Sequence, residues 1–234
     1  MTFLRAWLRL AVFVALLLAA MPALAAPAQI IILRHGEKQN PFRLCPTGLA
    51  RAQALAGRYL GRGAQDTLFP GGAPAAIFAI TLHSLELAAP AATSWGLPVT
   101  TYPVLPGETS GFTDALAART REAVRALMDD LRWAGKTVAM VWEHHHIANA
   151  KLEAANPGRQ VTLRQLLRLD TLPGVPATWP TETFDYFWIV DFAPDGTPTR
   201  FTLKKQVFDG AFAKVPSNDW GEPDGLGKAS GCLR

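Results

Sequence analysis

Short apolar runs recur along the chain and predict the strands of a buried sheet. Residues 28–33, 76–80 and 137–142 each form a short, almost wholly apolar run. Runs of this kind are typical of strands that are buried on both faces, as in parallel sheets. A further short strand is predicted over residues 98–102.

Between these runs, apolar residues recur at helical spacing. The pattern predicts helices over residues 46–60, 85–95 and 113–133, and another that starts near Ile147. Thr113 is the expected N-cap of the third helix. The alternation of strands and helices predicts an α/β fold of three layers, in which a mostly parallel central sheet is flanked by helices.

Loops and one hairpin make up the rest of the pattern. Residues 64–75 contain several Gly and Pro residues and no periodicity, and residues 104–113 are also predicted to be loop. Two strand-like segments, 186–192 and 199–207, flank the sequence Pro-Asp-Gly-Thr at 194–197. This arrangement predicts a hairpin near the C-terminus.

The first 26 residues have the pattern of an export signal. Arg5 and Arg9 precede an apolar run over residues 10–20, and Pro22 leads into the small residues of a cleavage site. A retained membrane anchor is the alternative, but a span needs roughly 20 apolar residues and this run is shorter. We expect a cleaved signal peptide at 1–26 and one domain at 27–234, periplasmic or secreted, without a stable membrane anchor.

The composition fits a globular domain and argues against a nucleic-acid partner. Hydrophobic residues make up 49% of the chain, which suffices for a full core. The formal net charge of +4 includes Arg5 and Arg9, which leave with the signal peptide. Because the chain has no lysine-rich stretch and no interleaving of aromatic and basic residues, we expect no nucleic-acid binding.

The chain has two cysteines, Cys45 and Cys232, and both belong to the part predicted to be exported. An even count in an oxidising compartment favours a disulfide, with two unrelated thiols as the alternative. The bridge would tie the last residues to a point near the start of the domain. In the chain-entropy model it would contribute up to about 5 kcal/mol.

All five histidines follow predicted strands. His35 comes after the first strand, His83 after the second, and three consecutive histidines at 144–146 come after the third. Ligands of α/β proteins bind beyond the carboxyl ends of the strands. We therefore predict a ligand site at this edge, with structural or surface histidines as the alternative.

Arg34 and His35 have the chemistry of an anion site. Histidine can act as a nucleophile toward phosphorus, and the guanidinium of the preceding arginine matches phosphoryl oxygens. Gly36 allows the backbone to come close to the anion. A second histidine from another strand would complete a positive cradle that stabilises charge during phosphoryl transfer.

The segments around the histidines resemble those of a known family. Residues 33–38 (Leu-Arg-His-Gly-Glu-Lys) resemble the signature of the histidine phosphatase superfamily, which has the phosphoglycerate mutase-like fold. Residues 44–55 resemble the Gly-x-x-x-Ala helix that follows this signature. Residues 142–147 (Trp-Glu-His-His-His-Ile) resemble a Trp-Glu-His variant of the second histidine motif. Exported members with this variant also pair a cysteine after the first motif with one near the C-terminus.

The resemblance implies a phosphoric monoester hydrolase. His35 would form a phosphohistidine that water then hydrolyses, while Arg34 and His144 would bind phosphate oxygens. We expect His83 to be a further phosphate ligand. A carboxylate would protonate the leaving group; the candidates are Glu143 and Glu108, which lies in the loop before the third helix. No metal or organic cofactor would be needed. The expected partner is a small phosphorylated molecule or inorganic phosphate.

Two positions depart from the family pattern after the second strand. His83 stands where the family has a second arginine, and Thr81 where it has a serine. The family's arginine is a clamp that holds the phosphate with charged donors. Histidine is mostly neutral at pH 7 and gives one donor, so the loss of this clamp could lower the rate about 10²–10³-fold. Alternatively, Arg58, Arg62 or Arg119 could fold into the gap.

Two alignments remain open at the third cluster. An ungapped match places Glu143 where the family has its second histidine, and a one-residue shift places His144 there. We favour His144, because it preserves the required chemistry, and keep Glu143 as a candidate proton donor. His145 is expected to contact neighbouring side chains or solvent.

Two other functions are compatible with these residues. Since His83 replaces an arginine, the domain could bind a phosphate-like anion without turnover. Residues 143–146, together with His35 or His83, could instead bind zinc or copper, because His144 and His146 would point the same way on an extended segment. No Cys-x-x-Cys or His-Glu-x-x-His pattern accompanies them, so we place the phosphohydrolase first.

Overall fold

The computed structural model describes residues 26–106 and 111–233. The predicted signal peptide up to residue 25 and the candidate proton donor Glu108 therefore lie outside the described residues. Within the described ranges, no helix combines the length and the apolar character needed to cross a membrane.

A six-stranded sheet and a separate two-stranded hairpin form the framework. In chain order the strands are β1 (Gln29–Arg34), β2 (Lys38–Asn40), β3 (Arg43–Leu44), β4 (Ala76–Ala79), β5 (Val99–Thr101), β6 (Thr137–Trp142), β7 (Tyr186–Phe192) and β8 (Pro198–Lys205). The helices are α1 (Pro46–Leu55), which continues as a π-helical segment over Ala56–Leu60, α2 (Leu82–Trp95), α3 (Phe112–Asp129), α4 (His144–Ile147), α5 (Ala150–Ala154) and α6 (Leu163–Leu166). Short 3-10 helices cover Leu131–Trp133, Leu169–Thr171, Gly210–Phe212 and Lys228–Ser230.

The main sheet has the order β5-β4-β6-β1-β7-β8. The first four strands in this order are parallel, whereas β7 pairs antiparallel with both of its neighbours, β1 and β8. Alternate side chains of β1 point into two cores: Ile30 and Ile32 pack with α3, and Ile31 and Leu33 with α1 and α2. Both faces of the sheet are therefore covered by helices. The predicted three-layer, mostly parallel α/β fold is confirmed.

Several helix starts differ from the prediction. Helix α3 begins at Phe112 with Gly111 at its N-cap, so Thr113 is not the capping residue. The helix predicted from Ile147 was also placed wrongly. A single turn, α4, begins at His144 and ends at Ile147, because the chain turns into a helix directly after β6 instead of staying extended.

Local signals fix the starts of α1 and α2, which lie next to the site. Pro46 occupies the first turn of α1, where its missing N–H is not needed. The hydroxyl of Thr81 accepts from the backbone N of Ser84 and caps α2. Helix α2 therefore starts at Leu82, earlier than predicted, and His83 lies in its first turn.

The predicted disulfide between Cys45 and Cys232 is confirmed, with the two Cα atoms 5.2 Å apart. Next to it, the backbone N of Leu233 donates to the carbonyl oxygen of Lys38 at 2.6 Å. The C-terminal segment is thus attached beside β2 and the start of α1.

Candidate functional site

Three neighbouring strands bring the candidate residues together at the carboxyl edge of the sheet. Strand β6 lies between β4 and β1, and the chain continues from these strands to Glu143, His83 and His35, respectively. The register pairs Arg34 with Trp142, and the backbone N of His35 donates to the carbonyl oxygen of Trp142 at 3.0 Å. Glu143 therefore lies beside His35, in the middle of the cluster.

One hydrogen bond fixes the fully buried imidazole of His35. Its Nδ1 lies 2.7 Å from the carbonyl oxygen of Gly36. Since a carbonyl oxygen only accepts, the proton of the neutral ring is on Nδ1 and the lone pair is on Nε2. The Nε2 atom has no hydrogen-bond partner, although Oε2 of Glu143 lies 3.1 Å away.

The carboxylate of Glu143 contacts two further imidazoles. The ring of His83 lies edge-on to that of His35, with centroids 4.4 Å apart, and its Nε2 is 3.6 Å from Oε2 of Glu143. The ring of His144 lies 5.7 Å from that of His35, and its Nδ1 is 2.6 Å from Oε1 of Glu143. The carboxylate of Glu143 thus contacts the imidazoles of His35, His83 and His144.

Arg34 is buried and is held from one side by backbone carbonyls. Its Nη1 donates to the carbonyl oxygens of Pro180, Thr181 and Thr183 at 3.3, 2.6 and 3.2 Å. The guanidinium carbon lies 3.8 Å from the centre of the Phe184 ring. Its Nε is buried without a partner and is free to donate to an anion. The segment 180–184 was not predicted from the sequence, because any residue type can supply a backbone carbonyl.

The charges of the cluster follow from burial. Burial lowers the pKa of His35 well below its usual value; the Glu143 carboxylate opposes this shift and the charge of Arg34 adds to it. Burial, helped by Arg34, lowers the pKa of His144 to about 3. Burial also lowers the pKa of Arg34, to about 10, which leaves it cationic. Burial alone would raise the pKa of Glu143, but the imidazoles around the carboxylate hold it well below its usual value. At neutral pH the cluster therefore combines neutral imidazoles at His35 and His144 with the carboxylate of Glu143 and the guanidinium of Arg34.

None of the arginines considered as substitutes for the missing clamp reaches the cluster. Arg58 and Arg119 form ion pairs with other carboxylates, and Arg62 is exposed. His83 contacts the cluster, and its Nδ1 lies 3.3 Å from the carbonyl oxygen of Pro41.

Arg51, which the sequence analysis did not single out, supports the loop that follows His35. Its Nη2 and Nε donate to the carboxylate of Glu37 at 2.6 and 3.0 Å, and both side chains are buried. It also donates to the side chain of Gln206 and to the carbonyl oxygen of Pro216. Because these contacts occupy its guanidinium, Arg51 stabilises the loop and does not serve as an anion ligand.

The last two histidines differ in their contacts. His146 is buried, with its Nδ1 2.9 Å from the carbonyl oxygen of Val161. His145 is exposed and stacks on His144, with ring centroids 4.0 Å apart. Since these residues form a helical turn, His144 and His146 point in different directions. The expected metal site that uses both of them was wrong.

No family model and no curated protein matches the chain, whereas solved structures do. The chain is similar to the native structure of mycobacterial glucosyl-3-phosphoglycerate phosphatase, with 18% identity and a TM-score of 0.41 over 76% of this chain and 98% of that one. A complex of the mycobacterial phosphatase with inorganic phosphate matches at 17% identity and a TM-score of 0.42, over 76% and 96% of the two chains. The protein histidine phosphatase SixA complexed with tungstate matches at 15% identity and a TM-score of 0.40, over 76% and 96%. Similarity at this level assigns neither a substrate nor a residue role to this chain.

Proposed function

We propose that this chain is a phosphomonoester hydrolase of the histidine phosphatase type, exported to the periplasm or secreted after removal of residues 1–26. The state of His35 carries the proposal. Its Nδ1 is held by the carbonyl oxygen of Gly36, and its Nε2 is buried without a hydrogen-bond partner. A histidine that attacks phosphorus needs this arrangement, in which one nitrogen is fixed and the other keeps its lone pair.

Two balanced steps follow from this geometry. In the first, Nε2 of His35 attacks phosphorus, a P–N bond forms, and the P–O bond to the leaving group breaks. The leaving oxygen takes a proton from the carboxylic acid of Glu143, whose Oε2 lies 3.1 Å from the attacking nitrogen. In the second, water attacks phosphorus, the P–N bond breaks, and the proton of the water passes to the Glu143 carboxylate. Inorganic phosphate then leaves.

The first step needs a proton on Glu143, which the carboxylate takes up from solvent water as the substrate binds. A phosphate dianion beside Glu143 repels the carboxylate and raises its pKa. Nε of Arg34, which is buried and unpartnered, offers a charge-assisted hydrogen bond to the phosphoryl oxygens. His83 and His144 complete the set of proposed phosphate ligands.

Hydrolysis of an aryl phosphate between about pH 4 and pH 8 tests the proposal across the range in which histidine titrates. We expect His35→Ala to abolish turnover and His145→Ala, a change at an exposed histidine outside the cluster, to preserve it. Equal activity of the two folded variants would reject the phosphohistidine. Protection from thermal unfolding by phosphate or vanadate without turnover would favour an anion-binding domain instead.

Substrates with different leaving groups identify the proton donor. A donor matters most when the leaving oxygen is basic, so its loss should slow an alkyl phosphate more than an aryl phosphate. We expect this selective loss for Glu143→Gln and not for Glu108→Gln. The reverse pattern would assign the role to Glu108.

A further inference from the structure

Three hydrogen-bond acceptors lie close together in the buried cluster: two imidazole nitrogens and one carboxylate oxygen. His35 and His83 each place Nδ1 against a backbone carbonyl oxygen, that of Gly36 and that of Pro41. Since a carbonyl only accepts, Nδ1 is the donor in both contacts, which leaves Nε2 as the ring nitrogen that can offer a lone pair. Both Nε2 atoms approach the same oxygen, Oε2 of Glu143, at 3.1 and 3.6 Å, and neither has a hydrogen-bond partner.

A positively charged species between the three atoms would give each acceptor a partner. Buried side-chain atoms without partners are rare in native proteins, and a bound ion is one of the few reasons for them. A cation placed between the two imidazole nitrogens and the carboxylate oxygen would satisfy all three at once.

The spacing fits a coordinated metal ion. Bonds of about 2.0–2.1 Å at tetrahedral angles place neighbouring ligand atoms about 3.3–3.4 Å apart. The observed distances of 3.1 and 3.6 Å lie on either side of this value, and all three ligand atoms lie within 4.8 Å of one another. An Nδ1–H directed at a backbone carbonyl is also the contact that orients metal-binding histidines.

We propose that this chain binds one divalent metal ion of the zinc class through Nε2 of His35, Nε2 of His83 and the carboxylate of Glu143. Two imidazoles and one carboxylate are a ligand set of catalytic zinc sites, which keep a fourth position open. Water or an anionic oxygen fills this position, and the positive charge of Arg34, the residue before His35, favours the anion.

Metal binding and phosphoryl transfer exclude each other at His35. The lone pair that coordinates the ion is the one that would attack phosphorus, so the metal-bound protein is inactive as a histidine phosphatase. The metal site does not depend on the proposed phosphatase activity, because it rests on the three ligand atoms alone.

A second group of side chains is the alternative location for the ion. Ligand atoms of Glu143, His144 and His145 also lie within 4.8 Å of one another. His145 is exposed, however, and Nδ1 of His144 already contacts the carboxylate at 2.6 Å. Because His83 belongs only to the first group and His145 only to the second, substitutions at these two residues distinguish the groups.

Titration of the metal-free protein, purified without an affinity tag and treated with a chelator, tests the proposal. We expect one Zn²⁺ per chain by calorimetry and the visible absorption of tetrahedral Co²⁺ when cobalt replaces zinc. His83→Gln should lower the Zn²⁺ affinity at least about 100-fold, since outer contacts alone contribute 10–100-fold. His145→Ala should leave it unchanged. Absence of stoichiometric binding, or loss in His145→Ala but not in His83→Gln, would overturn the proposal.

Imidazole ¹⁵N spectra of the unaltered protein provide a readout that does not depend on a variant folding. Zn²⁺ should move the Nε2 signals of His35 and His83 and leave those of His145 and His146 in place; unmoved signals reject the site. Thermal protection of the metal-free protein by phosphate is measured in parallel. Zn²⁺ binding without protection by phosphate would support the metal site and count against the phosphatase. Protection by phosphate without Zn²⁺ binding would support the phosphatase and reject the metal site.

Discussion

Removal of one charge from the Glu37–Arg51 ion pair is expected to destabilise the protein more than removal of both. Each side chain is only 1% exposed. The guanidinium donates to the carboxylate from Nη2 at 2.6 Å and from Nε at 3.0 Å. If one partner is neutralised, the other charge stays buried without an opposite charge, and solvent cannot reach it.

The contacts of the pair set the expected magnitudes. Glu37→Gln or Arg51→Met alone should cost about 3–5 kcal/mol, as for other buried pairs, out of a total stability of roughly 5–15 kcal/mol. In the double variant no charge remains buried, but the Gln206 side chain and the Pro216 carbonyl lose donors at 3.3 and 3.0 Å. Two lost hydrogen bonds at about 1 kcal/mol each predict a cost of about 2 kcal/mol for the double variant.

Equilibrium unfolding in urea, with the disulfide oxidised, measures these values for the wild type, both single variants and the double variant. Coincident transitions in circular dichroism and tryptophan fluorescence check that unfolding is two-state. The reasoning is refuted if the double variant loses as much free energy of unfolding as either single variant, or more.

The remaining predictions concern the clamp, the loop after the first histidine and the disulfide. His83→Arg should raise aryl phosphatase activity by up to about 10²-fold, because a guanidinium adds a charge-assisted donor; an equal or lower rate in a folded variant would count against the alignment at this residue. Gly48→Ala should cost at least about 1–3 kcal/mol in urea unfolding, because its Cβ would lie 2.3 Å from the carbonyl oxygen of Glu37; a neutral effect would contradict this close approach. Replacing Cys45 and Cys232 by serine should lower stability by up to about 5 kcal/mol, with the reduced wild type as the comparison; a change near zero would show that the C-terminal segment detaches without unfolding the domain.

Local patterns determined most of the elements in advance. The apolar runs at 28–33 and 137–142 predicted β1 and β6 to within one residue, because strands covered on both faces must be apolar throughout. The convergence of His35 and His83 was predictable as well, since parallel strands share one carboxyl edge. Helix starts were predicted less well, because they depend on capping contacts. Thr81 caps α2, which therefore starts before the predicted residue.

The residue pattern alone therefore predicted the six strands of the main sheet, the three long helices and the edge at which the histidines gather. Only the tertiary structure decided that β6 lies between β1 and β4, which puts Glu143 between two imidazoles. It also decided that three carbonyls hold Arg34 and that Arg51 pairs with Glu37. The physical reason is that local residue spacing sets periodicity and polarity, whereas strand order, register and buried polar partners depend on contacts between segments far apart in the chain.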